Sequence, residues 1–358
     1  MLLFLKLNTK RLPQVVVLVF VLMLLSACGG KKPNPFVSFY YWKSQYQLDT
    51  AERKALSDNK VEQLYVRYFD VVFDERLHKA IPQAPIQFQK QDLQTPIVPV
   101  VFIKNKVFEQ LDSLALDTLA EQTIAMINQI NHAAGLKARA LQIDCDWTAR
   151  SKDNYFHYLR QLRRIIDEHE HKTTFAPMAM LTATIRLHQV KYPEQQGIPP
   201  VDKGVLMFYN MADINASEVN SIYDEQTSKK YIGSLASYPL RLDIALPIFA
   251  WGIQLRDAQV VGLLNKIDLK DLQHSPEFSL RTANRYKVNS SFFKNGTYFK
   301  EGDELKIELV DQAALVQLAQ TVQKNYPNQF QQIIFFDLDA INLARYDKDV
   351  FQKIVQIH

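Results

Sequence analysis

Ala138-Arg139-Ala140-Leu141-Gln142-Ile143-Asp144-Cys145-Asp146-Trp147 reads as a buried strand ending in two carboxylates and an indole. Strand side chains alternate with period two, so Asp144 and Asp146 share a face, with Gln142 behind them. Cys145 takes the opposite face as a small buried hydrophobe. Burying two carboxylates is unfavourable unless partners compensate. Such a doublet either closes a strand and caps the helix after it, or marks a site. Its aromatic flank points to a site.

Seven further segments carry the same β-branched and aromatic signature. They are Phe36–Trp42, Gln63–Val72, Ile97–Ile103, Thr174–Ala183, Gly204–Met211, Arg241–Phe249 and Gln332–Asp339. Several are continuously apolar, as expected for strands covered on both faces. Helices are expected between them at Thr50–Asp58, Asp112–Ala134, Lys152–His169, Arg256–Lys266 and Asp311–Lys324. Leu116, Leu119, Ile124, Ile127 and Ile130 form one apolar stripe at helical spacing. Tyr155, Tyr158, Leu159, Leu162, Ile165 and Ile166 form another. Eight strands alternating with helices predict an α/β fold, a (β/α)8 TIM barrel over 36–358, with an open doubly wound sheet as the alternative. The gap between the seventh and eighth strands is too long for an ordinary connection. Tyr286–Val288, Thr297–Phe299 and Leu305–Leu309 read as short strands, and Asn295-Gly296 as a hairpin turn. A small β-rich subdomain is therefore expected at 268–311.

Residues 1–27 read as a lipoprotein signal peptide. Lys6, Lys10 and Arg11 precede an apolar run, and Leu25-Ser26-Ala27-Cys28 matches a bacterial lipobox with lipidation at Cys28. The stretch Val15–Ala27 has 13 residues, short of the roughly 20 that a spanning helix needs. Residues 28–35 then form a lipidated tether. Gly29 after the cysteine resembles lipoproteins held at the outer membrane, facing the periplasm or the surface. Removing three basic residues from 42 leaves 39 against 38 acidic ones, so the mature chain is nearly neutral and no nucleic-acid partner is expected. With Cys28 lipidated, Cys145 is the remaining thiol and no internal disulfide can form. No glycine-rich phosphate or dinucleotide motif occurs, so no cofactor is expected. His169 and His171 diverge on a helix, and no metal site is predicted.

Trp42, Trp147 and Trp251 each fall at or just past a strand's C-terminal end, which in a barrel means one shared rim. Tyr41, Tyr209 and Phe249 add aromatic surface. Asp70, Asp337, Asp339 and Asn210 reach the same rim, while Arg186 and His188 follow strand five. Arg67 is placed to pair with a buried acid. Asp243, near the start of strand seven, belongs to the opposite face.

These residues resemble the chitinase-like glycoside hydrolases of family eighteen, whose fourth strand ends in D-x-D-x-E. Asp144-Cys145-Asp146-Trp147-Thr148 follows that pattern up to its last position. Met207-Phe208-Tyr209-Asn210 is similar to the family's M-x-Y-D, and Leu246–Gly252 to its seventh-strand ending. The family often carries an insertion after strand seven. The resemblance implies a (β/α)8 barrel acting on a glycan. Thr148 replaces the family's general acid and Asn210 its aspartate, and a threonine hydroxyl cannot deliver a proton near neutral pH. The expectation is an envelope lipoprotein that binds a glycan or polysaccharide and reaches the membrane through Cys28, with its oligomeric state left open. If it hydrolyses that glycan, the acid is relocated to Asp144, Asp146, Asp337 or Asp339. Trp42, Arg67, Asp70, Trp147, Tyr209, Asn210 and Trp251 would bind substrate. A non-catalytic glycan-binding or protein-binding lipoprotein is the alternative.

Overall fold

The computed structural model describes residues 35–89, 93–168, 173–215, 219–294, 296–327 and 329–357. The expected signal peptide 1–27, Cys28 and nearly all of the tether 28–35 lie outside the described residues, as do His169, His171 and Asn295.

Eight parallel strands close a barrel. Phe36–Tyr41, Leu64–Asp74, Ile97–Ile103, Ala138–Asp144, Phe175–Arg186, Lys203–Met207, Leu242–Pro247 and Gln332–Phe336 pair in chain order, and the last returns to the first. Strands four, six, seven and eight leave the ladder a few residues earlier than their apolar runs end. Asp146, Tyr209, Phe249 and Asp337 therefore stand on the loops just past the strand ends. Strand two runs on to Asp74 and pairs antiparallel with Lys79–Gln83, so Asp70 lies within the strand.

The outer helices follow from their apolar faces. Thr50–Asp58 begins in a capping box: Glu52 N–H donates to Asp49 at 2.8 Å and Asp49 N–H to Glu52 at 3.0 Å. Ser113–Ala134 is capped by Asp112 and ends at Gly135, whose φ of 69° is the left-handed turn that glycine adopts without strain. Lys152–Glu168 buries all six residues of its expected stripe.

The expected helix Arg256–Lys266 does not form. Ala250–Arg256 and Gln259–Asn265 instead make an antiparallel hairpin. Asp257 and Ala258 both have positive φ (49° and 61°), the requirement of a two-residue hairpin turn. Without a glycine that turn is invisible in sequence, and Val260-Val261-Gly262-Leu263-Leu264 has no clear period. This hairpin continues through Glu304–Leu309 and Arg285–Val288 to Phe278–Thr282, giving a five-stranded sheet between barrel strands seven and eight. The sheet begins at Ala250, well before the expected 268. Its own core gathers Ile267, Leu272, Phe278, Tyr286, Val288, Phe299, Leu305 and Ile307.

Inside the barrel, at the N-terminal end of the strands, a polar layer replaces aliphatic packing. Asp243 is fully buried and ion-paired to Lys203. It also accepts from Gln331 N–H at 3.0 Å and Gln332 Nε2 at 2.6 Å. Gln332 in turn reaches Ser38 and Tyr65. This layer closes the bottom of the barrel and leaves the C-terminal end as the open one.

Candidate functional site

The opening at the C-terminal rim holds a cleft of about 370 Å³, within the range typical of small-ligand sites. Its wall is aromatic. Phe336, at the end of strand eight, is the hub: its ring centre lies 5.4 Å from Trp42, 5.6 Å from Tyr209 and 5.6 Å from Phe249. Trp251 extends the series from Phe249 at 5.2 Å. Trp251 belongs to the inserted sheet, which also supplies Asn265 and Lys266, so barrel and insert build the cleft together. The Trp251 indole N–H donates to buried Glu308 at 2.9 Å, and Glu308 is ion-paired to Lys306 at 2.6 Å. That link fixes the angle of the ring.

Asp144 and Asp337 reach the cleft from opposite sides of the barrel, at the end of strand four and just past the end of strand eight. Asp144 is 5% exposed and accepts from the Thr184 hydroxyl at 2.7 Å. Burial pushes its carboxyl up to about 6; the nearby Asp146 charge adds to this, while Arg186 opposes it. Asp337 is 6% exposed and accepts from Asn342. Burial pushes it, too, up to about 6 against the pull of Lys266. Asp70 lines the cleft with both oxygens held by Arg67, at 2.7 Å from Nε and 2.7 Å from Nη2. Tyr209 is buried, and its hydroxyl has no hydrogen-bond partner among the described residues. Asn210 adopts φ 56°, a left-handed geometry that asparagine tolerates, and its N–H donates to Ile222 O at 2.9 Å.

Thus Trp42, Asp70, Asp144, Tyr209, Asn210, Trp251 and Asp337 come together at one opening. Four other expected site residues stand elsewhere. Arg67 lies behind Asp70 as its counter-ion. Trp147 is fully buried, stacked on Tyr155 at 5.2 Å with its N–H donating to Gln196 O, so neither face is free for a sugar. Asp339 caps Ala340–Leu343 and pairs with Lys266 at 2.9 Å and Lys43 at 3.1 Å. Asp146 shares an adjoining hollow with Thr148 and His188, and Arg186 grips both of its oxygens. The Asp144/Asp146 alternation persists past the ladder: Asp144 meets Thr184 and Asp146 meets Arg186, two residues further along strand five. Arg186 separates the two hollows and keeps Nη1 buried without a partner among the described residues. Thr148 is exposed, 3.4 Å from the Ser151 hydroxyl in the turn that starts Lys152–Glu168.

Phe102, Phe336, Asn342, Asn265 and Lys266 line the cleft without having been expected there. Phe336 carried a readable signal, since it alternates with inward-facing Gln332 and Ile334. Asn265 and Lys266 carried none once their segment was read as a helix. Among the described residues, no group of three or more His, Cys, Asp or Glu is placed to hold a metal ion.

No family model matches the sequence, and no curated protein matches it. Solved structures do match the fold. A GH18 chitinase from Cycas revoluta, in complex with allosamidin, is 14% identical over 89% of this chain and 98% of its own, with a TM-score of 0.55. The spore cortex-lytic enzyme SleL of Bacillus cereus is 14% identical over 91% of this chain and 75% of its own, with a TM-score of 0.52. SleL of Bacillus megaterium is 11% identical over 92% and 75%, with a TM-score of 0.55. At such identities the likeness is one of fold.

Proposed function

We propose that this chain binds a glycan in the rim cleft. One observation carries the reading: Trp42, Trp251, Tyr209, Phe249 and Phe336 converge with Asp70, Asp144, Asp337 and Asn210 on a single opening. Aromatic faces cover the apolar faces of sugar rings, while carboxylates and amides engage the hydroxyls. Trp42 and Trp251 are the partly exposed indoles and serve as platforms; Tyr209 and Asn210 orient the ring substituents. The fold neighbours add support, as the Cycas revoluta chitinase is described with bound N-acetylglucosamine oligomers.

The test is tryptophan fluorescence during titration with chitooligosaccharides and soluble peptidoglycan fragments. A saturable change is expected, with affinity about tenfold weaker in Trp251→Ala, the loss of a central aromatic anchor. Because Trp147 is sealed away, the signal reports Trp42 and Trp251. A flat titration with every glycan ends the proposal.

Hydrolysis is the second reading, favoured by the elevated carboxyls of Asp144 and Asp337, poised near the pH at which a general acid works. Thr148 and the Arg186-held Asp146 are not the acid in this reading. Release of reducing ends from the same glycans is its assay, with Asp144→Asn as the control.

We further infer that the protein is an envelope lipoprotein, anchored through Cys28 and directed by Gly29 to the outer membrane. The Leu25-Ser26-Ala27-Cys28 box supports this. Labelled palmitate should enter the chain and fail to enter Cys28→Ser; equal labelling of both would refute the anchor.

A further inference from the structure

The charges around the cleft are paired, with two exceptions. Asp70 has Arg67, and Arg186 has Asp146. Lys266 and Lys43 share Asp339, and Lys43 also meets Glu52. Glu308, behind Trp251, has Lys306. Asp144 and Asp337 have no ion-pair partner among the described residues. Each is buried, lines the cleft and uses one carboxylate oxygen on a neutral donor, Thr184 Oγ1 or Asn342 Nδ2. The other oxygen of each receives no hydrogen bond from another described residue. A buried carboxylate without a counter-ion is unfavourable, and a partner that brings positive charge relieves it.

The geometry points to a saccharide bearing free primary amines, such as a de-N-acetylated hexosamine oligomer, whose ammonium groups give Asp144 and Asp337 the direct ion pairs that the nearby Arg186 and Lys266, held by Asp146 and Asp339, do not make. This rests on the glycan reading above and adds the substrate class. Three features favour an amino sugar over other cations. The wall is aromatic, so it covers a sugar ring and attracts an ammonium through the ring faces. A divalent metal would need six or more oxygen ligands, and no cluster of even three acidic or metal-binding side chains stands there among the described residues. The two carboxyls lie on opposite sides of the opening, matching a ligand that repeats its charge along a chain.

The pH dependence follows. Asp144 and Asp337, both pushed up to about 6, must be ionised, while a sugar amine must keep its proton, which it loses near the ~7.7 of an α-amino group. The charged groups packed around the two carboxyls are Arg67 with Asp70, Arg186 with Asp146, Lys43 and Lys266 with Asp339, and Arg345 behind Asn342. His188 stands beyond Asp146, its imidazole held below the ordinary range by burial. Burial holds the Tyr40 and Tyr209 hydroxyls well above their ordinary range.

Calorimetry on the full chain in detergent, with β-1,4-linked tetramers of glucosamine and of N-acetylglucosamine, tests this at pH 5, 6.8 and 8.5. At pH 6.8 the glucosamine tetramer should bind at least tenfold tighter, and the preference should shrink at both other pH values. Asp144→Asn with Asp337→Asn should weaken the glucosamine tetramer at least tenfold more than the N-acetylated tetramer, which removes the preference. Equal affinities at pH 6.8, or a preference that survives the double variant, overturns the inference and leaves a neutral-glycan cleft standing. If neither tetramer binds, the glycan reading falls with it.

Discussion

Asp144→Asn is expected to be about 2–3 kcal/mol more stable at pH 7.5 than the unsubstituted protein, and to lose a hundredfold or more of any glycan-cleaving rate. An unfolded aspartate ionises near 3.9, whereas burial holds folded Asp144 at about 6. Well below a pH of about 3.9 both states carry the protonated acid and nothing is lost on folding. As the pH rises through about 6, folding must retain a proton the unfolded chain has released, or bury the charge. Stability therefore falls across that window and levels off above it. Two pKa units correspond to roughly 3 kcal/mol. Asparagine never ionises, and its carbonyl can still accept from Thr184. Urea unfolding at pH 3 and 7.5 checks this, the gain being present at the higher pH and nearly absent at the lower. A gain of equal size at both would show that charge is not its origin. The activity loss is the usual scale for removing a general acid.

Asp243→Ala should act in the opposite direction, destabilising the fold by about 3–5 kcal/mol, the typical result of removing one member of a buried ion pair. Lys203 would remain buried beside the vacated site, and Gln331 N–H and Gln332 Nε2 would each lose an acceptor. The urea midpoint should drop at every pH near neutrality, and Lys203→Met combined with Asp243→Leu should recover much of the loss. A single variant as stable as the parent would mean that the bottom layer is not holding the barrel closed. Two buried aspartates in one barrel thus differ in sign: Asp243 has a lysine, and Asp144 does not.

The barrel was readable because its strands are buried on both faces and spell themselves as apolar runs, and because the two long outer helices carry clean stripes. The site was readable where a polar or aromatic residue ends such a run, as with Trp42, Asp144, Tyr209 and Asp337. Trp147 leaves the rim by the same alternation that pairs Asp144 with Asp146. It falls in step with Cys145, on the helix-facing side, where Tyr155 covers it. Asp339 departs from the expected rim position because it caps a helix, and in sequence a carboxylate that begins a helix looks like one that lines a cleft two residues earlier. The wall made by Asn265 and Lys266 was out of reach. It depends on the turn at Asp257 and Ala258, whose backbone geometry no residue there advertises.

Cys145 has a practical consequence. It is wholly buried, and its thiol is held well above the ordinary range, chiefly by desolvation. In a chain whose Cys28 carries lipid, it is the one sulfhydryl available to an alkylating reagent, and the closed barrel keeps it out of reach. Maleimide capture then acts as a stopwatch for barrel opening, read on the unsubstituted protein without engineered probes.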